Sequence, residues 1–438
     1  KEGKNNKLRA SDIKRIADTF IKRESVPKFS RVVSREEIRS NDYNLNIPRY
    51  VDSSEAAEHW DVYASMFGGI PTAEIEELGE FWTAFPALKK ALFTESGIPY
   101  VNVSVDDIKS AIKSHPDVVG FEDAFNAAFS TFPAFLKEEL IDRMESIEIS
   151  KAETVLSADI FERLKDIPLI DKYAAFQLLD DDWTGISIDL EVLQTEGFSA
   201  TKEVDPNLVI KKKDGKDQEV QEGWVGHIIP FDLVQATLLS AETDELHGLE
   251  SRLAEIPSEY ESILDEMTEE DKESCNDVLT EEGDAFVPKE VSKKIKELKK
   301  DRSPESVALR TLLEKVESLI KSEKEIKAEI KAKSAALQAK TKDTIESLSD
   351  EQALDLLEKK WIAPLIESIH KLPDTVIDSL VSKIQALQNK YATTFFEVEQ
   401  QISETEATLS GMIDDLEGNE YDMLGLKELK KLLGGSAE

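Results

Sequence analysis

The acidic and histidine residues are the first candidates for chemistry in this sequence, because they can bind metals or transfer protons. The five histidines form no pair spaced four residues apart, and neither an HExxH nor a CxxC motif occurs. Asp180, Asp181 and Asp182 could attract a hard cation, but they lack the spaced ligand loop of an EF-hand. The sequence therefore predicts no metal site, and the three aspartates are interpreted as a turn at the end of a helix.

Motifs for cofactor binding and nucleophilic catalysis are the second class of candidates. No glycine-rich loop of the form GxGxxG or GxxxxGK[ST] occurs, and there is no GxSxG motif. From the residues alone, the sequence predicts no catalytic residue and no complete cofactor site. An independent hydrolase in the middle of the chain has no positive support.

Two features could contact nucleic acid. The aromatic residues that recur at helical spacing are Phe121, Phe125, Phe129, Phe132 and Phe135. Such a row could stack on bases, but acidic residues lie between its members where basic ones would be needed, so core packing is favoured. The sequence KKKDGK at 211–216 could touch phosphate, although a lysine-rich hairpin tip is more often only solvated.

Charge is distributed unevenly along the 438 residues, whose net charge is −36. Residues 1–50 hold 13 Lys/Arg and 7 Asp/Glu, which leaves 41 and 83 for residues 51–438. Because an acidic surface repels phosphate, any contact with nucleic acid is expected from the first fifty residues or from a partner. The alternative for the rest of the chain is that acidity only keeps it soluble.

The elements that would position these residues divide the chain into regions, and its length allows two to four domains. SDIKRIADTF predicts a helix capped by Ser11, and FSRVV predicts a strand over residues 29–33, followed by a capping box of Ser34 and Glu37. Helical spacing dominates from 53 to about 200. Asp214-Gly215 then predicts a β-hairpin near 207–232. Residues 262–288 are interpreted as an exposed connection that ends at a domain boundary near Pro288.

Two long apolar seams follow this boundary. The first consists of Leu309, Leu312, Val316, Leu319, Ile326, Ile330 and Leu337, and the second of Ile377, Val381, Ile384, Tyr391, Phe395, Val398, Ile402, Leu409, Met412 and Leu416. Their alternating steps of three and four residues are typical of coiled coils. Since Leu372-Pro373-Asp374 breaks the chain between them, we expect an antiparallel pair of helices suited to holding a partner.

Apolar runs and cysteine content bear on membrane contact and on the cellular location of the protein. No apolar run approaches the roughly 20 residues that a membrane span requires, and no signal-peptide core follows the start, so no membrane contact is predicted. The single cysteine, Cys275, agrees with a reducing, cytoplasmic location. A first residue that is not methionine suggests an excised fragment.

One stretch, NDYNLNIPRYVD at 41–52, suits neither a helix interior nor an alternating strand. Together with GKNNKL at 3–8, the helix SDIKRIADTF and FSRVVSREEIRS, it resembles the M subunit of type I restriction–modification DNA methyltransferases in order and spacing. The residues that carry the family motif are Asn41, Asp42, Tyr43, Asn44, Leu45, Asn46, Arg49 and Tyr50. The resemblance implies that residues 1–52 form the last edge of an α/β methyltransferase domain.

Weaker likenesses to the same family continue in MFGGIPTAEIEELGEFW, QEGWVGHIIPFDLVQ and KKWIAPLIESI. The family's catalytic tetrapeptide, Asn-Pro-Pro-Phe or Asn-Pro-Pro-Tyr, and its glycine-containing cofactor loop are absent. The expected fold is therefore mainly α with a small β component. It comprises the methyltransferase edge at 1–52, a mostly helical domain with the hairpin at 53–288, and a long-helix antiparallel coiled-coil region for assembly at 289–438. This chain alone is expected neither to bind S-adenosylmethionine nor to methylate.

The resemblance also implies a reaction and a set of partners. Members of the family transfer a methyl group from S-adenosylmethionine to adenine N6 of a flipped-out base in double-stranded DNA. A specificity (S) subunit reads the sequence, two M subunits flank it, and R subunits add ATP-dependent cleavage. C-terminal helices of M pack on S, which predicts that the two seams bind a partner. Because residues 1–50 are basic, Lys4, Lys7, Arg31 and Arg35 are candidates for facing DNA. The alternative is a non-enzymatic acidic coiled-coil scaffold.

Overall fold

The computed structural model of the chain describes residues 6–54, 59–95, 99–213, 216–280, 284–301 and 303–432. Over these ranges the chain is mostly helical with two small antiparallel sheets, which confirms the predicted mainly α fold with a small β component. The chain forms two compact units. Unit 1 comprises residues 1–138, 148–185 and 364–438, and unit 2 comprises 139–147 and 186–363. The division into three domains made from the sequence remains a prediction.

The elements up to residue 203 are mostly short helices. They are α1 (Ala10–Lys22), α2 (Arg35–Ser40), a 3-10 helix (Ile47–Arg49), α3 (Val62–Phe67), β1 (Ile70–Pro71), α4 (Thr72–Glu76), α5 (Gly79–Ala84), α6 (Leu88–Leu92), β2 (Phe93–Glu95), β3 (Tyr100–Val103), α7 (Ile108–Lys113), α8 (Pro116–Phe129), α9 (Phe132–Leu136), a π-helical turn (Lys137–Asp142), α10 (Ile149–Arg163), α11 (Lys172–Glu196) and a second 3-10 helix (Phe198–Lys202). Strand β3 lies between β1 and β2 and pairs antiparallel with both.

The later elements include the longest helices. They are β4 (Val204–Lys213), β5 (Lys216–Gly226), α12 (Phe231–Leu238), α13 (Ser240–Glu266), α14 (Glu269–Ser274), α15 (Pro288–Leu298), α16 (Pro304–Glu346), α17 (Asp350–Leu357), a π-helical turn (Glu358–Ile362), α18 (Ala363–His370), α19 (Leu372–Lys390), α20 (Phe395–Asp414) and α21 (Glu420–Leu432). Strands β4 and β5 confirm the predicted hairpin, with Val209 opposite Val220. Its predicted turn, Asp214-Gly215, lies outside the described residues.

Unit 1 has an apolar core to which α4 to α8 and α19 contribute. Side chains of Phe85, Ile112 and Leu380 are completely buried in it. The phenylalanine row begins in this core, to which Phe121 belongs. Its first four members, Phe121, Phe125, Phe129 and Phe132, are buried, and Phe135 is half-buried. Core packing is therefore confirmed for the row.

Unit 2 contains a second apolar cluster, formed by α13, α15, α16 and the segment between α13 and α15. Ser303 caps α16 through its Oγ, which accepts a hydrogen bond from the Ser306 amide, and Pro304 occupies the first turn. Met267, Cys275 and Val278 are buried in the cluster. The interpretation of residues 262–288 as an exposed connection is therefore wrong, because these apolar side chains are spaced among the acids and face the helices.

The two apolar seams do not behave alike. Helix α16 packs against α13 and α15 of its own unit, and Leu309, Val316, Ile326 and Leu337 of the first seam are buried, while Leu312, Leu319 and Ile330 are half-buried. The second seam is interrupted between α19 and α20. The predicted antiparallel pairing of the two seams is thus not confirmed, because α13 and α15 bring apolar stripes of their own to α16.

Three local predictions near the N-terminus and in α11 need correction. Helix α1 begins at Ala10, and Ser11 lies inside its first turn with a buried Oγ instead of capping it. Residues 29–33 form no strand and contribute only a single bridge between Val26 and Ser30. The aspartates at 180–182 lie within α11, not at a helix end, and the Gln177 amide donates hydrogen bonds to two of them.

Candidate functional site

The family motif at 41–50 forms a compact turn that ends α2. Asp42 and Tyr43 have φ of 54° and 58°, in the left-handed region. The Tyr43 amide donates to the Ile38 carbonyl (2.9 Å) and the Asp42 amide to the Arg39 carbonyl (3.1 Å), the pattern of a Schellman motif. Asp tolerates this conformation better than most residues, which explains one unusual choice in the motif.

The rest of the motif is held by its own side chains. The Asn44 side-chain oxygen accepts from the Asn46 amide at 2.9 Å, and the Tyr50 hydroxyl donates to the Asn44 carbonyl at 2.5 Å. The Asn41 amide group donates to the Glu37 carbonyl at 3.1 Å. Arg49 closes the 3-10 helix, Ile47–Arg49. The Asn and Tyr residues therefore shape the backbone of this segment.

Apolar side chains of the N-terminal segment face outward. Phe20 is 80% exposed, and Leu45 and Ile47 of the motif region are each 71% exposed. Ile16, Phe20, Ile21, Phe29 and Val32 contribute to the lining of a groove of about 700 Å³. A segment of this size rarely leaves so many large apolar side chains in water unless another surface covers them.

Helix α1 is anchored to α10 and α11 within unit 1. The Ser11 amide donates to the Gln177 side-chain oxygen at 3.0 Å, and the Tyr173 hydroxyl donates to Asp18 at 3.3 Å. Burial, together with the negative charge of Asp18, raises the pKa of Tyr173 to about 12. Lys14 lies over the Phe161 and Phe176 rings at 5.3 and 5.2 Å. These contacts hold the segment while its apolar groove stays open.

The residues predicted to face DNA have different surroundings. Arg31 is exposed and pairs with Glu37 at 2.8 Å. Arg35 is exposed in the first turn of α2, and Lys7 is exposed just before α1. Lys4 lies outside the described residues. The structure does not gather the described three into one cluster of contacts, and their role remains a prediction.

Helix α20 exposes its part of the second seam. Thr394 caps the helix in a capping box with Glu397, and Ser410 and Ile413 form its buried face. The exposed seam residues are Phe395 (60%), Val398 (37%), Ile402 (53%), Leu409 (45%), Met412 (62%) and Leu416 (51%). By contrast, Ile377, Val381, Ile384 and Tyr391 of the same predicted seam are buried in unit 1. The exposed part of the seam therefore begins at Phe395.

A polar cluster fixes the start of α20. The Tyr391 hydroxyl donates to Glu74 and accepts a hydrogen bond from the Asp61 amide at 3.1 Å. Lys390 also binds Glu74, at 2.9 Å, and lies 5.4 Å from the Trp60 ring centre. Burial raises the pKa of Tyr391, so its hydroxyl stays protonated and able to donate. The cluster holds the chain just before the exposed helix.

Two of the weaker family-like stretches meet in unit 2 around a buried carboxylate that the sequence did not single out. Asp189 is 8% exposed, and its Oδ2 accepts from Lys360 at 2.5 Å and from the Trp361 indole at 2.7 Å. Lys360 also donates to the Ile228 carbonyl at 2.6 Å. The stretches GHIIPF and KKWIAP are thereby joined. In the sequence, only the resemblance of both stretches to the same family could have indicated that they are connected.

His227 lies between two carboxylates at the base of the hairpin. Its Nδ1 is 2.6 Å from Asp205, and its Nε2 is 3.1 Å from Glu196. The hydrogen bond with Asp205 is the main cause that raises the pKa of His227 above its ordinary value of 6.5. Folding therefore favours the imidazolium form of His227 relative to the unfolded chain.

We expect this histidine to make the stability of the chain depend on pH. Because its pKa is raised in the folded state, its contribution is fully present below the ordinary pKa and is lost as pH rises through the folded pKa. Urea unfolding midpoints at about pH 6 and about pH 9 should differ less in His227→Gln than in the parent chain. An equal pH dependence in both proteins would contradict this assignment.

The described parts of the chain contain no candidate for a metal site or for a membrane-spanning helix. Over these ranges, His, Cys, Asp and Glu side chains form no group of three that could hold a metal ion. None of the helices described is both long and apolar enough to cross a membrane.

Comparison with known proteins gives matches at the N-terminus. Residues 1–59 match the family described as N-6 DNA Methylase. Over 77 residues, 17% of this chain, the sequence is 42% identical to the type I restriction enzyme MjaVII methylase subunit of Methanocaldococcus jannaschii, of which the match covers 13%. Over 62 residues, 14% of this chain, it is 34% identical to the type I restriction enzyme MpnII methylase subunit of Mycoplasma pneumoniae, of which the match covers 11%.

These matches confirm the resemblance to type I methylase subunits over a short N-terminal stretch. The matched part of the chain spans only about a tenth of the length of these relatives. No solved structure matches the chain.

Proposed function

We propose that this chain is the C-terminal region of the M subunit of a type I restriction–modification enzyme, and that it supports assembly with the S subunit. The proposal proceeds from the family resemblance of residues 1–59. In the complete protein, the M subunit would transfer methyl groups from S-adenosylmethionine to adenine N6 in DNA. The proposed partners are S, a second M subunit, R subunits and double-stranded DNA, in the cytoplasm.

The observation that carries the proposal is the coincidence of this family match with an uncovered apolar surface. The matching residues include large apolar side chains that are exposed, such as Phe20, Leu45 and Ile47. This pairing is what we expect for one edge of a methyltransferase domain seen without the part that covers it. A free-standing scaffold, the alternative function, offers no reason for a methylase-like sequence at this edge.

The described part of this segment does not fit a site for S-adenosylmethionine. Residues 6–52 contain no strand followed by a glycine-rich loop, the arrangement that cradles such a cofactor in α/β domains. We assign no catalytic or cofactor-binding residue in this chain and derive no step of methyl transfer from it. The fragment alone is proposed to be inactive.

Assembly with S is proposed to use the exposed seam of α20. The first seam, on α16, packs against α13 and α15 of the same unit, and we propose that its residues serve the fold of unit 2. Phe395, Val398 and Ile402 remain exposed. Their spacing suits insertion between side chains of a second helix.

Co-purification with the cognate S subunit tests this proposal. The parent chain should form a stable complex, and Ile402→Asp should weaken it at least about tenfold, because a carboxylate would be buried at an apolar contact. Ile188→Asp is a matched control, since Ile188 on α11 is 56% exposed and Ile402 is 53% exposed. If the folded parent chain forms no complex, the assembly role is wrong. If both variants bind as the parent does, the seam of α20 is not the contact with S.

We propose that Arg35, which belongs to the basic residues 1–50 and is exposed on α2, contacts DNA. In the assembled enzyme, Arg35→Glu should lower the slope of log affinity against log salt concentration by about one if this side chain contacts a phosphate. Lys324→Glu on α16 makes the same change of charge and serves as control. Equal slopes for the two variants would remove Arg35 from the DNA interface.

A further inference from the structure

The exposed face of α20 carries charge of one sign only. The helix has five carboxylates and no Lys or Arg. In a heptad that begins at Phe395, Glu399 follows the seam residue Val398 and Glu406 occupies the same position one heptad later, so both flank the seam on one side. Both are exposed, and neither forms an ion pair within the described residues. The other carboxylates of the helix include Glu397, which caps it, and Asp414, which pairs with Lys430.

From this pattern we infer the chemistry of the partner that covers α20: an amphipathic helix of another protein whose apolar seam is flanked by Lys or Arg. The inference rests on the proposed function, in which a second chain binds here, and it defines what that chain must present. Basic residues opposite Glu399 and Glu406 would turn two unpaired charges into ion pairs at the rim of an apolar contact. Such pairs set partner choice and association rate more than total affinity.

Other occupants of this face are disfavoured by the same charges. A second copy of the chain would bring a helix with five more carboxylates and no cation to neutralise them. Nucleic acid would meet negative charge with negative charge. Helices that lie on anionic membranes are rich in Lys and Arg on their polar face, the opposite of α20.

Two designed helical peptides make the test direct. Both carry the same apolar seam, and one has Lys and the other Glu at the positions beside it. We expect the whole chain to bind the Lys peptide at least about tenfold more tightly, with a preference that shrinks as salt is added. The double variant Glu399→Lys/Glu406→Lys should reverse the preference. Glu404→Lys, on the outer face of the same helix, should leave it unchanged.

Equal binding of the two peptides, or failure to bind either, would overturn the inference. Self-association of the chain that Ile402→Asp abolishes would overturn it in favour of a second copy. The S subunit is assayed separately, so the two ideas can fail independently. A complex with S combined with equal peptide binding would reject the charge requirement and leave the proposed function standing. A clear peptide preference without an S complex would support the charge requirement and count against the proposed function.

Discussion

Replacing Asp189 with alanine is expected to destabilise the protein by about 3 kcal/mol, because it removes the buried carboxylate that pairs with Lys360, whose own side chain is 26% exposed. The carboxylate accepts hydrogen bonds from Lys360 and from the Trp361 indole. Without it, the ammonium group stays next to the Ile228 carbonyl with no negative partner, and the buried indole N–H loses its acceptor. The measurement is the urea concentration at the midpoint of α-helix loss. The dependence of the unfolding free energy on urea concentration is compared between the variants.

Two further variants separate the charge from the hydrogen bond. Asp189→Asn keeps an acceptor for Trp361 but removes the negative charge, so it should cost less than the alanine variant. Asp355→Ala removes a carboxylate that pairs with Lys359 at 2.6 Å on the surface, and should cost about 1 kcal/mol or less. If Asp189→Ala proves no more harmful than Asp355→Ala, the buried network does not stabilise unit 2.

The position of this network shows where reasoning from sequence reaches its limit. Helical spacing and hairpin signals are local, and they correctly predicted β4, β5 and the mainly helical character of the chain. Asp189, Ile228 and Lys360 come together only through tertiary packing. No spacing rule connects positions this far apart without knowledge of the fold.

The acidic stretch at 262–288 was misjudged for a related physical reason. Its many carboxylates predicted an exposed connection, yet Met267, Cys275 and Val278 are buried between them. Average polarity over a window hides a few apolar side chains that all point to one side. Burial depends on what packs opposite, and here that is supplied by α13, α15 and α16.

The candidate surface on α20 was only partly predictable. The sequence identified the heptad spacing of the second seam, but this spacing is the same for residues buried in unit 1 and for those left open. Ile384 is completely buried and Ile402 is 53% exposed, although both fit one seam. The difference arises because α19 faces the core of unit 1, whereas α20, which packs against α3 and α21, buries Ser410 and Ile413 and leaves its seam residues exposed.

Two valines make this difference measurable. Val316 on α16 is completely buried in the apolar cluster of unit 2, whereas Val398 on α20 is 37% exposed. Val316→Asp should destabilise the chain by about 4 kcal/mol or more, since it places a carboxylate in an apolar environment. Val398→Asp should change the free energy of unfolding by about 1 kcal/mol or less and should instead weaken binding to S. Unfolding monitored by circular dichroism measures the stability, and co-purification with S measures the binding.

The contrast between the valines decides what each seam does. A large loss of stability in Val316→Asp alone, with loss of partner binding in Val398→Asp alone, would assign the first seam to folding and the second to assembly. Equal losses of stability in both variants would mean that α20 is covered within the chain and that no open seam exists. Loss of S binding in a stable, folded Val316→Asp would return the first seam to the interface, because a side chain that tolerates a charge there cannot be enclosed by α13 and α15.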